Sequence, residues 1–395
     1  VTRTTTRGAP ALPLSLYVHT PWCVRKCPYC DFNSHRADEP PVEAYVTRLL
    51  ADLEQELRQA AARRPLASVY IGGGTPSLFP GSAMRRLLDG LRERAELAPD
   101  AEITLEANPG TSDSSRFAAY REAGVNRLSI GAQSLSADRL SGLGRIHGPD
   151  EVQNTVRTAR AAGFANINLD MMFALAEQDL AEAERDLGGL IALDPEHISY
   201  YQLTLEPNTW LYANPPPLPD PDLAADMAEQ GLAQLARAGY RQYEVSAYAR
   251  DGARCLHNLN YWRFGDYLGI GAGAHGKLTQ DGGAEDGWCV RRTAKLRHPL
   301  AYLSASPDRL ISTTRGLDED DLVLEFALNA MRLAEGFEHG LFRHSTGLPD
   351  SRISPIIRSA EQDGLIRVLA GRIEPTALGR RFVDDLVARF APDPV

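Results

Sequence analysis

Between residues 14 and 203 one arrangement recurs six times: a short apolar run, a polar or glycine-rich stretch, then a segment of helical length with one apolar face. The runs at 14–19, 67–71, 102–107, 127–130, 167–172 and 197–203 read as strands. Helices are expected over 41–64, where Tyr45, Leu49, Leu53 and Leu57 form a stripe, and over 83–97, 112–123 and 181–193, with helical turns up to Ala162. Gly124 and Gly163 sit where two of these should stop. Strand and helix in strict alternation predict parallel βαβ units. The unusual polar segment follows every strand and not one switch point, so the pattern favours an α/β fold with a parallel (β/α) barrel over a doubly wound open sheet. Six units make it a partial barrel.

Beyond residue 203 the pattern changes. The proline-rich 214–222 reads as a stiff connection, 223–238 as an amphipathic helix and 242–248 as a strand. Residues 255–276, CLHNLNYWRFGDYLGIGAGAHG, are rich in glycine and aromatics and unlike anything before them. From about residue 299 helices are expected at 318–333 and 349–363, then a hairpin at 368–373 and a last helix at 375–390. That order suggests a smaller α+β, winged-helix-like module, as much a packing lid as a binding unit. The division is thus a disordered lead at 1–13, a barrel core at 14–240, a segment carrying HNLNYW at 241–298 and the module at 299–395.

Composition adds limits. A chain of 395 residues with 43% hydrophobic and 24% charged residues can bury a sizeable core. Its formal charge of −10 argues against a protein that draws its affinity from nucleic-acid phosphates. Neither a signal peptide nor a membrane span is apparent, so the cytoplasm is the expected compartment, with peripheral membrane contact left open.

The sharpest chemistry lies at LYVHTPWCVRKCPYCDF, residues 16–32, which hold Cys23, Cys27 and Cys30 out of five cysteines in all. Three thiols on one loop can grip a four-iron cluster and leave one iron open for another ligand. Zinc, with His19 or His35 as fourth ligand, is the alternative, although paired CxxC knuckles are its commoner pattern. Disulfides fit an odd number of cysteines and a reducing compartment poorly. The spacing, the Tyr17-Val18-His19 strand end and Tyr29 resemble the cluster loop of the radical S-adenosylmethionine (SAM) superfamily.

Ordered matches extend the resemblance over nearly the whole chain: GGGTPS at 72–77, EANPG at 106–110, GAQS at 131–134, HISYYQLTLEPNT at 197–209 and HNLNYW at 257–262. Together they are similar to the oxygen-independent coproporphyrinogen III oxidase family, which contains the oxidase and a haem-chaperone branch. The resemblance implies a [4Fe–4S] cluster on the three cysteines and SAM held by Tyr17, Tyr29, Gly73, Gly74, Thr75, Glu106, Gln133, Arg145 and Asp170. The oxidase carries a fourth cysteine where this chain has Phe32, so the resemblance points to the chaperone branch. There HNxxYW implies haem near His257, Tyr261 and Trp262, an acceptor haem protein and an electron donor to the cluster. From the residues alone, a histidine within an aromatic core cluster is as good a reading of that motif. Cys255 is expected to be a buried inert thiol, with iron ligation as the alternative, and Cys289 a structural one. Radical decarboxylation of coproporphyrinogen III is the second functional expectation, and a radical enzyme acting on tRNA a distant third. One departure stands out. After Asp170 the family reads Gly-Leu-Pro-Gly-Gln; this chain has Phe173-Ala174-Leu175-Ala176-Glu177-Gln178. A positive φ there would cost alanine about 1 kcal/mol or force another turn, which bears on how Asp170 is presented.

Overall fold

The computed structural model describes residues 11–60, 64–110, 114–281 and 288–392. Six strands expected from the pattern are present: β1 (Leu14–Thr20), β2 (Leu66–Gly73), β3 (Leu97–Ala107), β4 (Arg127–Gln133), β5 (Ile167–Phe173) and β6 (His197–Gln202). Between them run α1 (Val42–Gln59), α2 (Gly81–Arg94), α3 (Ser114–Ala123), α4 (Pro149–Ala161) and α5 (Leu180–Ile191). The pairing β1-β2-β3-β4-β5-β6 is parallel throughout, which only crossover helices allow. Outward residues such as Leu128, Ile130 and Leu169 pack with helix residues such as Leu87, Val152 and Leu187 in one large apolar core.

The sheet continues beyond what the pattern predicts. After α6 (Pro221–Arg237), the single strand expected at 242–248 is a hairpin of β7 (Arg241–Glu244) and β8 (Ala247–Ala249), with β8 antiparallel to β6. A short helix, α7 (Leu256–Trp262), precedes β9 (Asp266–Ile270), which lies parallel to β1 on its other side. Then β10 (His275–Asp281), β11 (Trp288–Lys295) and β12 (Ile311–Gly316) add antiparallel strands. The twelve strands run β12-β11-β10-β9-β1-β2-β3-β4-β5-β6-β8-β7, with β12 and β7 at free edges, so the barrel is partial.

Residues 1–10 of the expected lead lie outside the described residues, and 11–13 are held: Leu12 is buried and its carbonyl accepts from Arg64 Nη1 at 2.7 Å. The 83–97 helix stops at Arg94, because Leu97 already belongs to the eleven-residue β3. The last helix breaks at Phe382, whose φ/ψ of −114/43 is not helical. In the C-terminal part, helices Glu319–Ala330, His339–Thr346 and Ser354–Gln362 surround a three-stranded sheet, the helix-and-wing arrangement that was expected. It is not a separate core. Phe326, Phe337 and Phe342 share one apolar cluster with Tyr243, Leu259, Phe264 and Val290 of the preceding segment. No described helix is long and apolar enough to cross a membrane.

Buried charge explains why β10 and β11 escape the hydrophobic pattern. Lys295, on β11, places Nζ 2.5 Å from both Asp52 Oδ1 and Glu56 Oε1 of α1, and Tyr302 donates to Asp52 Oδ2 at 2.6 Å. Burial pushes the Glu56 carboxyl up, and the Lys295 ammonium opposes that. Lys277, on β10, makes a buried pair with Asp266 at 3.1 Å. Removing one member of such a set leaves an uncompensated buried charge. Lys295→Met is therefore expected to destabilise the chain by about 3–5 kcal/mol in urea unfolding, and Asp52→Asn/Glu56→Gln/Lys295→Met to recover most of that loss.

Candidate functional site

The first two strands position the cysteine loop. Past the end of β1, Trp22–Cys23 pairs with His35–Arg36, and the chain between them carries Cys27 and Cys30. The glycine segment after β2 clamps this loop: Gly74 N–H donates to Thr20 O at 2.6 Å and Thr75 N–H to Trp22 O at 2.8 Å. A Cβ on Gly74 would stand 2.5 Å from Trp22 O; one on Gly73, whose φ is +111°, would stand 2.5 Å from the His19 ring. Close packing within the protein thus requires both glycines, and their amides are already used. Gly73 N–H donates to Glu106 Oε2 at 3.0 Å.

The three thiols are half-buried and unbridged, and they border a cavity of about 450 Å³ at the carboxyl ends of the parallel strands. Thr75 Oγ1 donates to Cys23 Sγ at 3.5 Å and Arg145 Nη1 to Cys27 Sγ at 3.8 Å, both orientations that suit a thiolate. Burial raises the Cys23 and Cys30 thiols. Among the described residues no three His, Cys, Asp or Glu side chains gather round a point that would hold a single metal ion. His19 is committed to Tyr17 and to Asn33 O. Three unbridged thiols bordering an open cavity suit a cluster larger than a single ion.

Glu106, Gln133, Arg145 and Asp170 all line this cavity, as do Tyr29 and Thr75. Arg145 is held by Asn108 Oδ1 and Gly131 O, each at 2.7 Å. Tyr201 OH holds Gln133 Oε1 at 2.8 Å. Glu106 accepts from Tyr70 OH at 2.9 Å, yet burial, with Asp170 nearby, still pushes its carboxyl up to about 7. Burial raises Asp170 too. Tyr17 departs from expectation. It is not on the cavity wall but behind it, bonded to His19 Nδ1 at 3.0 Å and stacked near Tyr70.

Reasoning from loops alone misses the inner wall. Arg127, Ser129, Gly131 and Gln133 of β4, Asn168, Asp170 and Met172 of β5, and His197, Ser199 and Tyr201 of β6 all face the cavity. Their signal is alternation. Parallel strands covered on both faces should be apolar throughout, but on one face RLSIGAQ carries Arg127, Ser129 and Gln133, INLDMMF carries Asn168 and Asp170, and HISYYQ carries His197, Ser199 and Tyr201. Many of these groups bond to one another: His197 to Asn168 Oδ1 at 2.6 Å, and Asn168 Nδ2 to Ser129 Oγ and to Asp170 Oδ1, both at 2.8 Å.

The HNLNYW residues form α7, which plugs the barrel at the amino ends of the strands, opposite the cysteines. His257 is 1% exposed and both ring nitrogens are engaged, Nδ1 with Ser68 Oγ at 3.0 Å and Nε2 with Tyr261 OH at 2.8 Å. Burial pushes it down to about 3, so it is neutral. Arg332 lies over the Trp262 ring at 4.6 Å, and Tyr261 and Trp262 border a second, smaller cavity, while the His257 ring is enclosed. Asn260 ties α7 to Ser15 and Asp266. Cys255 is buried, donates to Glu102 and is pushed up to about 12 by burial, as an inert thiol would be. Cys289, expected to be structural, is exposed on β11.

The altered loop after β5 keeps a turn built for glycine. Ala174 has φ +54° and Glu177 φ +57°, both in the left-handed region. Arg139 clamps it by donating to Ala176 O at 2.6 Å and Glu177 O at 3.1 Å, and Glu177 N–H donates to Pro217 O at 3.0 Å. Asp170 keeps its place in the cavity wall despite the changed residues. Ala174→Gly and Glu177→Gly are each expected to stabilise the chain by about 1 kcal/mol, read as a rise in the thermal or urea midpoint.

Comparison with known proteins shows the family. Residues 17–187 match the radical SAM superfamily and residues 317–382 the HemN C-terminal domain. The chain is 48% identical to heme chaperone HemW of Escherichia coli (strain K12) over 379 residues, 96% of this chain and 98% of that one. With heme chaperone HemW of Mycobacterium tuberculosis (strain CDC 1551 / Oshkosh) it shares 34% over 391 residues, 96% and 95% of the two chains. Among solved structures, coproporphyrinogen III oxidase (HemN) from Escherichia coli superposes with a TM-score of 0.80 over 98% of this chain and 91% of that one, at 22% identity, a likeness of fold. The chain belongs to the HemW family of haem chaperones within the radical SAM superfamily.

Proposed function

We propose that this protein carries a [4Fe–4S] cluster on Cys23, Cys27 and Cys30 with SAM at its open iron, takes up haem, and passes it to an acceptor haem protein. The observation that carries the reading is the set of three unbridged thiols, with a hydroxyl and a guanidinium directed at two of them, on the rim of one large cavity. When bound, such a cluster supplies one electron for the reductive cleavage of SAM. In this reading Glu106 and Asp170 face the ligand's ammonium and hydroxyls, Arg145 and Gln133 its polar edge, and Tyr29 packs beside its adenine. Phe32, 58% exposed, takes the place of the oxidase's fourth cysteine. With Val24 and Ile146, 45% and 59% exposed, it gives the cavity mouth an apolar collar suited to a flat hydrophobic cargo. An electron donor to the cluster completes the set of partners.

His257 reaches haem iron only if α7 withdraws from the barrel end, because Tyr261 occupies the nitrogen that would ligate. Haem uptake is thereby coupled to that segment. Coproporphyrinogen III decarboxylation would use the same cavity; incubation of reconstituted protein with coproporphyrinogen III, SAM and reductant distinguishes it, since the chaperone reading expects no protoporphyrinogen.

Anaerobic reconstitution is expected to give broad visible charge-transfer absorbance that each of Cys23→Ala, Cys27→Ala and Cys30→Ala loses; bound zinc in its place would remove the cluster. With Glu106 half-protonated near pH 7, equilibrium SAM binding should weaken by up to about tenfold per unit as pH falls below 7, since the protonated acid no longer meets an ammonium. Glu106→Gln should flatten that dependence. Added haem is expected to give a Soret band that survives gel filtration, weakens in His257→Ala and strengthens in Tyr261→Phe, with faster amide exchange over 256–262 in the loaded wild type. A Soret band unchanged in both variants would remove His257 from the proposal.

A further inference from the structure

The cavity runs well past the space beneath the cysteines. Arg127 and His197 are the first residues of β4 and β6, and both line it, together with Asn258 of α7. Six steps of extended chain, about 20 Å, separate Arg127 from Gln133 at the cysteine end.

Arg127 is the anomaly of this inner end. It is 2% exposed, yet its guanidinium makes no hydrogen bond to any described residue, and Nε is sealed without a partner. The nearest carboxylate, Glu102, stands 4.0 Å from Nε. Glu102 is otherwise occupied: its two oxygens accept from Leu256 N–H at 3.0 Å, His257 N–H at 3.2 Å and Cys255 Sγ at 3.4 Å. The polar row beside Arg127 is also closed on itself, since His197, Asn168, Ser129 and Ser199 bond to one another. Buried guanidinium groups persist where their N–H donors are met, and here the donors facing the cavity have nothing to meet.

We propose that the inner end of the cavity is a carboxylate-binding site with Arg127 as its receptor. A planar monoanion matches the guanidinium fork and adds only one negative charge beside the Arg127–Glu102 pair. A phosphate dianion would bring a second negative charge toward Glu102 and fits less well. The propionate edge of a tetrapyrrole is the carboxylate of the right chemistry; the amino-acid end of SAM, placed at the cysteine rim in the reading above, is the alternative that the test separates. The site itself rests on Arg127 and not on the haem reading.

The test uses the full chain, purified anaerobically, and equilibrium binding of two ligand pairs: SAM against decarboxylated SAM, and haem against haem dimethyl ester. In one pair the free acid should bind wild type at least about tenfold more tightly than its counterpart, a preference that Arg127→Gln abolishes and Arg127→Lys retains in part. The pair that responds identifies the source. A preference missing from both pairs, or present but unchanged in Arg127→Gln, overturns the site, and the acid-against-ester comparison in wild type stands even if that variant does not fold. The Glu102→Gln/Arg127→Gln double variant, with both charges removed, carries the same comparison in a chain without an unpaired buried charge. Because decarboxylated SAM and the haem ester each retain the rest of their parent ligand, loss of SAM or haem binding altogether is read separately from loss of the carboxylate preference.

Discussion

Two backbone hydrogen bonds hold the site in place. Gly74 to Thr20 O and Thr75 to Trp22 O carry the parallel pairing of β1 and β2 beyond the strands and into the cysteine loop. Gly73 and Gly74 let those backbones come so close, since a Cβ on either would collide with the His19 ring or with Trp22 O. The loop that holds the thiols is thereby fixed to the rim of the cavity, and Thr75, the next residue, delivers its hydroxyl to Cys23. The glycine motif thus serves the protein's own packing first, and any ligand meets a rim that is already built.

The rest follows from lining a partial barrel with polar groups. A filled barrel would place branched apolar residues where Ser129, Asn168, Asp170 and Ser199 stand. Here those positions hold polar residues that bond to one another and leave the interior open beside them. Charges inside it are tuned by burial. Glu106 is held near neutrality and Asp170 above its ordinary range, so that an arriving cation changes their protonation as well as their contacts.

The far end is stopped by α7, whose first backbone N–H groups rest on the Glu102 carboxylate, as a helix amino end favours. That plug is also the point where the barrel joins the C-terminal part, through Leu259 and Phe264 in the shared apolar cluster. Movement of α7 would therefore be felt on both sides: in the barrel interior, where Asn258 lines the cavity, and in the module beyond.

Much of this was legible in the chain itself. Hydrophobic period and helix stops determined the six βα units, because local periodicity is what a parallel barrel requires of each segment. Cysteine spacing and the ordered motifs determined the family and the loop residues at the cysteine end of the cavity, since loops after parallel strands share one face wherever the sheet curves. The alternation in RLSIGAQ and HISYYQ also announced the polar interior, though only the pleat of an assembled sheet shows which face it lines. Tertiary structure alone decided the remainder. Lys295 is neutralised in its strand by buried carboxylates of the distant α1, and Lys277 by Asp266 of the neighbouring strand, pairings that no hydrophobic period records. Ala174 and Glu177 hold a glycine-type turn because Arg139, from another unit, clamps it. And His257, which its motif offers as an iron ligand, is turned inward by Ser68 and Tyr261, because side-chain partners brought together by folding determine whether a lone pair is free.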